Sequence, residues 1–479
     1  MLRTSFAIVA LALIVFSSAS CIRGKDRPQM QDLGGLHDQG PRDVGDGGAL
    51  CDGEAGRCGD LGARDGLGPD QGPPPSDFPC AGDPWVKTKK ADLRCASRYV
   101  LTVESGLWEN GQVAIAVDSK GKVGIAYGNE NTPSEGQLHL VSFPVGSRQV
   151  PNPTVVAGTQ HERLGVRVAM VPRSGGGFHL VHVDALIQGS ELNYAGWTGS
   201  GQPVSELVST EVGLGGSVDL VEAHDGRVFV VYYADHARGV YARVRPQGGS
   251  APWSKPEDLG DDFISTVSGV GHLAVVRQPG GGLAYALHLG SGLRSAPCFR
   301  RYDALNGWSS KMTIDNKTYA GIAGQSIDLA ITQTKHHATY FFVPEGSTTA
   351  DLRLATWASS NDKPEITVLR QTIPTDAILP EYEAALAVDS WGLLHLAVIL
   401  PSPKTSPGTS VGVLEYRRQV LIAGQKKWFT DIVDDDVLST SFSSHVALWV
   451  EPGGRPHIAY FNGRTGKMMY ATRDDRSGS

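Results

Sequence analysis

Apolar and polar residues alternate along most of this chain in short runs, and the runs recur as one unit. Each unit is an alternating apolar stretch, a Gly- or Asp-bearing turn, a second alternating stretch that often ends in Tyr, and a third strand. The clearest copies are VAIAVDSKGKVGIAY (Val113 to Tyr127), AALAVDSWGLLHLAV (Ala384 to Val398) and VALWVEPGGRPHIAY (Val446 to Tyr460). Weaker copies open at Val168, Val218, Leu273 and Ser326, so that seven units follow one another at a spacing of about 55 residues. Alternation with period two, bounded by turn residues, predicts strands rather than helices. In the first unit it predicts an inner strand from Val113 to Val117, a second from Val123 to Tyr127, a third from Leu138 to Phe143 and an outer one from Pro153 to Ala157. The corresponding third strands are LNYAGWT at Leu192, LRLATWA at Leu352 and MMYATRD at Met468. The inner strands are apolar on both faces, as strands buried near a crowded axis must be.

A small antiparallel sheet repeated radially at this period predicts an all-β fold, a seven-bladed β-propeller of four-stranded antiparallel blades. The last unit stops after its third strand, Met468 to Thr472, whereas RYVLTVES (Arg98 to Ser105) precedes the first unit and belongs to none. Pairing the two removes two exposed edges. The ring is therefore expected to be closed by its N-terminal strand.

The repeats resemble those of bacterial BNR-type, sialidase-like β-propeller proteins, whose units read approximately D-x-x-G-x-x-H-x-A-Y followed by an L-x-Y-A strand. The resemblance spans about residues 98 to 475. It implies the architecture and leaves activity open, because such propellers include hydrolases, lyases, lectins and inert scaffolds. The sialidase Asp-box S-x-D-x-G-x-x-W is nowhere intact, and no arginine triad with a Tyr and Glu pair is identifiable. H-E-x-x-H and the P-loop are also absent, and the one G-x-S-x-G string, Gly408 to Gly412, lies in a stretch without helical period and so lacks the strand-to-helix turn of a nucleophile elbow.

Arg3 precedes an apolar run from Phe6 to Phe16, followed by Ser17-Ser18-Ala19-Ser20-Cys21. A run this short does not cross a bilayer core of about 30 Å, so residues 1–21 read as a secretory signal. The segment resembles a bacterial lipoprotein signal, although Ser18 stands where that family usually has an aliphatic residue. The resemblance implies lipidation of Cys21 and a membrane anchor in the cell envelope. Ile22 rather than Asp after the cysteine favours the outer membrane. Cleavage near Ala19 or Ser20, giving a secreted protein, is the alternative. Residues 22–79 are rich in Gly, Asp and Pro without apolar periodicity, which predicts a disordered tether ahead of a propeller at 80–479. Ten Asp and one Glu against five Lys or Arg in residues 25–79 account for most of the net charge of −7. They do not form the spaced loop of a Ca²⁺ site, and no basic footprint for nucleic acid exists anywhere. Cys51 with Cys58, and Cys80 with Cys95, are candidate local disulfides, and Cys298 reads as a buried thiol.

His179, His337, His395 and His457 occupy equivalent places on the second strand of four units, where Gly124, Phe229 and Ala284 stand in the others. A position repeated around a ring does not converge on one atom, so these rings read as scaffold hydrogen-bonding groups rather than metal ligands. His336 and His337 are adjacent on a strand and point to opposite faces, which prevents chelation of one metal. Asp118 and Asp389 read as turn formers. Ligand chemistry is expected instead on loops leading into inner strands: His161-Glu162-Arg163, Asp261-Asp262-Phe263, Glu381-Tyr382-Glu383 and Asp434-Asp435-Asp436. Asp261, Asp262, Glu381, Tyr382, Glu383, Asp435 and Asp436 are the candidate ligand-binding residues, the carboxylates accepting hydroxyl protons and the ring stacking on a sugar face. No catalytic residue, metal site or cofactor is assigned. The expectation is a non-catalytic binding module for a glycan or an envelope or extracellular protein. The alternatives are a carbohydrate-active enzyme (glycoside hydrolase or polysaccharide lyase) working at the channel mouth, and a structural component of an envelope complex.

Overall fold

The computed structural model describes the chain from Arg98 to Arg473 apart from short connecting segments, chiefly 158–162, 211–216, 260–271, 316–320, 375–382, 403–410 and 439–444. The signal, Cys21, the tether and the cysteines Cys51, Cys58, Cys80 and Cys95 lie outside the described residues. Seven sheets follow one another in sequence order as the blades of a β-propeller, and no helix occurs among the described residues. The first blade consists of β2 (Glu109–Val117), β3 (Lys122–Thr132), β4 (Glu135–Pro144) and β5 (Thr154–Ala157), within a few residues of the strands that alternation predicts. The other inner strands are β6 (Arg163–Pro172), β10 (Val218–Glu222), β14 (His272–Arg277), β20 (Gly321–Ile331), β24 (Ala384–Val388) and β28 (Val446–Val450). Blade 4 departs from the regular plan because its outer strand is split into β18 (Gly307–Trp308) and β19 (Met312–Thr313). A short parallel strand, β16 (Arg294–Ser295), also joins β20 of blade 5.

The core lies between blades. On β3, Val123, Ile125 and Tyr127 pack against Ala459, Phe461 and Tyr470 of the last blade, while Ala126 packs with Phe178 and Leu180 of the second. Burial of both faces removes the usual polar side of an antiparallel strand. The spacing is tight: a Cβ on Gly124 would meet the Phe178 ring at 2.6 Å.

Ring closure follows the predicted pairing. β1 (Arg98–Ser105) runs antiparallel to β30 (Lys467–Arg473), from Arg98 opposite Arg473 to Ser105 opposite Lys467. Glu104 then reaches the first blade, where its carboxylate accepts hydrogen bonds from Tyr127 Oη (2.6 Å), His139 Nδ1 (2.9 Å) and Asn129 Nδ2 (3.2 Å). Two other junctions repeat this clasp, Tyr340 to Asp315 and Tyr460 to Asp434, each at 2.8 Å. It explains why the second strands so often carry a Tyr near their ends: the phenol buries its ring and spends its hydroxyl on a carboxylate in or just after the outer strand of the preceding blade.

The triplet Asp434-Asp435-Asp436 corrects an expectation. It is not a loop over the axis but part of β27 (Gln425–Leu438), the outer strand of blade 6, so Asp435 and Asp436 are withdrawn as mouth residues. Register shifts around Leu414 let the irregular stretch stay in the sheet. Asp434 is buried as the Tyr460 acceptor, Asp436 pairs with Arg464 at 3.0 Å, and Asp435 is exposed. Cys298 is buried, its thiol 3.6 Å from the Ala296 carbonyl.

Candidate binding site at the channel mouth

Aligning the seven inner strands by their pairing with second strands puts Val113, Val168, Val218, Leu273, Ile327, Ala384 and Val446 at one level. The residue just before that level is polar in every blade: Gln112, Arg167, Ser217, His272, Ser326, Glu383 and His445. One residue deeper than the level stand Ala114, Ala169, Asp219, Ala274, Asp328, Ala385 and Ala447. Five alanines leave space at the axis, and a cavity of about 210 Å³ lies there, lined by the opening residues of all seven inner strands. None of the residues at the far ends of these strands lines it, so the cavity belongs to the end of the channel where the inner strands begin.

The polar residues also join blades. Glu383 accepts from His445 Nδ1 (2.7 Å) and from the Val446 amide (2.9 Å). Ser326 Oγ accepts from the Ala384 amide at 2.8 Å, and Ser326 itself sits in the left-handed region at φ 50° within an irregular stretch of β20. Asp219 accepts from the Val275 amide and Asp328 from the Leu386 amide, each at 2.6 Å. The inner edge of an inner strand has no further strand to pair with, so these side chains satisfy amides that would otherwise face the cavity unpaired.

Burial shapes the electrostatics. Desolvation pushes the Asp219 and Asp328 carboxyls up to about 7, against the pull of the amides they accept from. Desolvation, aided by the positive charge of Arg167, brings His272 down to about 4, so it is neutral at physiological pH. Burial raises Glu383 too, but His445 and the Val446 amide outweigh it and hold this carboxyl below its ordinary value. The cavity lining thus combines a neutral imidazole, a paired carboxylate and two carboxyls that titrate near neutrality, while Arg167 and His445 stand outside the lining.

Of the residues expected at the mouth from sequence, Glu383 is there. Asp261, Asp262, Glu381, Tyr382, His161 and Glu162 lie outside the described residues, and only the backbone of Arg163 is described, at the start of β6. Sequence reasoning missed Gln112, Arg167, Ser217, His272, Ser326, His445, Asp219 and Asp328. The signal was present as one polar residue preceding the apolar run of each inner strand in seven successive repeats, but the residue type changes from blade to blade.

The strand histidines lie toward the opposite end and behave as scaffold. His395 Nδ1 is 2.6 Å from Tyr416 Oη with Nε2 3.2 Å from Asp389, and His457 Nδ1 is 2.7 Å from Tyr470 Oη with Nε2 2.8 Å from Glu451. A carboxylate only accepts, so Nε2 carries the proton and the tyrosine donates to Nδ1. His179 Nδ1 is 2.5 Å from Tyr194 Oη, and His337 Nδ1 is 3.0 Å from Thr356 Oγ1. His336 points to the other face and stacks on Trp357. Asp118 and Asp389 each accept two amides of their own turn.

Solved structures share this architecture. A PL25 ulvan lyase bound to -[GlcA(1-4)Rha3S]- aligns with a TM-score of 0.51 at 10% identity, covering 78% of this chain and 96% of that one. A second PL25 ulvan lyase structure gives 0.50 at 11% identity over the same shares. The intramolecular trans-sialidase from Ruminococcus gnavus in complex with oseltamivir carboxylate aligns at 0.43 and 9% identity, over 80% of this chain and 98% of that one. The likeness is one of fold. No protein-family model matches the chain, and no curated protein matches its sequence.

Proposed function

We propose that the chain is a glycan-binding propeller that seats one sugar of its ligand at the mouth of the central channel, as a binding module rather than a catalyst. The observation that carries this reading is the run of seven polar residues at one strand position, set over a small cavity. Hydrogen-bond donors and acceptors in this density suit hydroxyl groups. The volume is below the roughly 300–1,000 Å³ of pockets for drug-sized ligands, which suits one residue of a longer chain. The signal and Cys21 add an export route and a lipid anchor to this proposal, with the propeller held at the cell envelope. The test is a glycan array followed by calorimetry on the best ligand, with Gln112→Ala and Glu383→Gln as variants and melting temperature as the folding control. A tenfold or greater loss of affinity in folded variants is expected. Undiminished binding would move the ligand away from the axis, and no binding to any glycan would favour an envelope scaffold.

A polysaccharide lyase or glycoside hydrolase is the second reading. It is favoured by the two carboxyls near 7 and the neutral His272 around one cavity, groups suited to exchanging protons at neutral pH, and the aligned PL25 structures are named as ulvan lyases. A screen of polysaccharides and aryl glycosides for new reducing ends or unsaturated uronates decides between the two. Turnover that disappears in Asp219→Asn or His272→Gln would replace the binding-only reading.

A further inference from the structure

Among the described residues, the cavity at the mouth is lined by three carboxyls, Asp219 of blade 3, Asp328 of blade 5 and Glu383 of blade 6, and by no lysine or arginine. The carboxyls are near enough to repel one another, Asp328 acting on Asp219 and Glu383 on Asp328. The fold does not need the charge of either aspartate. Each accepts one amide from the following blade, Val275 or Leu386, yet Ser326 does the same for Ala384 with a neutral hydroxyl. Each also accepts the next amide of its own strand, Leu220 or Leu329, which fills two of the roughly four acceptor sites on a carboxylate. A second observation points to a ligand at the same place. Ser217 lines the cavity at 7% exposure, and its hydroxyl has no hydrogen-bond partner among the described residues; neither has the Gln112 side-chain amide beside the same cavity. A buried hydroxyl without a partner is unfavourable until something completes it.

We propose that the channel mouth seats the protonated amino group of an N-unsubstituted hexosamine, so that the ligand class is a cationic amino-sugar polymer. The ammonium lies among Asp219, Asp328 and Glu383, while Gln112 and Ser217 take neighbouring ring hydroxyls. A primary ammonium is compact and brings three N–H donors to carboxyls that still have acceptor sites. Other cations suit the lining less well. No group of three His, Cys, Asp or Glu among the described residues is placed to hold a metal ion, and no Phe, Tyr or Trp among them lines the cavity to face a quaternary ammonium. The remaining charged or titratable groups at this level do not cancel the field of three carboxyls. His272 is neutral, His445 is hydrogen-bonded to Glu383, and Arg167 stands outside the lining. Asp219 and Asp328 gain protons as pH falls from about 7 to 5.5, a range in which Glu383 stays charged and the sugar ammonium keeps its proton. Binding should therefore weaken about fivefold or more over that interval.

This inference rests on the glycan-binding reading, and the experiment separates the two. Calorimetry on the full chain compares a glucosamine oligomer, the N-acetylglucosamine oligomer of the same length and an oligogalacturonate. At pH 7 the glucosamine oligomer should bind at least tenfold more tightly than either of the others. In the double variant Asp219→Asn/Asp328→Asn, checked for folding by its melting temperature, that preference should fall to near one and its pH dependence should vanish. Should the double variant not fold, the pH dependence of the parent alone decides, because affinity that is constant or rises toward pH 5.5 would overturn the inference. Equal or tighter binding of the N-acetylated or acidic oligomer would also overturn it and leave the glycan reading standing. If none of the three oligomers binds, the amino-sugar seat is refuted, and the glycan array independently decides whether a sugar binds at all. An oligolysine bound as tightly as the glucosamine oligomer would make the site a general ammonium seat and overturn the assignment to a sugar.

Discussion

Deleting the chain through Ser105 removes β1, and the loss can be estimated from what that strand contributes. Val100 and Val103 are buried at 4% and 9% exposure, and full burial of a valine is worth about 1.5–3 kcal/mol. Glu104 is the shared acceptor of Tyr127, His139 and Asn129, and a buried donor left without its partner costs about 1–3 kcal/mol. Together these come to roughly 6–15 kcal/mol, comparable with the about 5–15 kcal/mol that stabilises a typical domain. The truncation also leaves β30 as an unpaired edge, an invitation to intermolecular pairing. Such a protein should aggregate or fail to melt cooperatively, while a deletion ending at Pro79 should melt as the full chain does. Glu104→Gln is the graded version: the amide keeps the shape but loses charge and one acceptor, costing about 1–3 kcal/mol and a few degrees of melting temperature. Size-exclusion chromatography and thermal unfolding read both. If the two deletions are equally stable and monomeric, the closing strand does not hold the ring and the reasoning fails at its root.

Two further outcomes are expected. Asp219 and Asp328 have folded-state values near 7 against an ordinary 3.8, so their contribution is fully present below about pH 4 and is lost as pH rises through 7. Asp219→Asn and Asp328→Asn should flatten the pH dependence of the melting temperature between about pH 4 and 8 and exceed the parent at the upper end; parallel curves would refute the burial effect. His395→Phe leaves Tyr416 and Asp389 without their ring partner and should cost about 2–4 kcal/mol in denaturant unfolding while the folded fraction keeps its ligand affinity. Lost affinity in a fully stable variant would instead make the strand histidines functional.

The sequence by itself determined the blade count, the strand boundaries within a few residues and the partner of the closing strand. It could do so because each repeat writes the same local alternation and turn chemistry, and because an unpaired strand at each terminus has one economical solution. It also showed that the strand histidines share one repeated position, where the structure finds them hydrogen-bonded to Tyr194, Thr356, Tyr416 and Tyr470. Of the residues around the axial cavity, only Glu383 was legible. Gln112, Arg167, Ser217, His272, Ser326 and His445 are far apart in the chain and chemically unlike, and only the closed ring brings them to one level around an axis. The same closure decided that Asp434 serves Tyr460 across a blade junction, not a ligand, and that Asp219 and Asp328 lose enough solvent to titrate near neutrality. Alternation is a property of neighbours along the chain, whereas convergence and desolvation depend on which blades meet. Those belong to the tertiary structure alone.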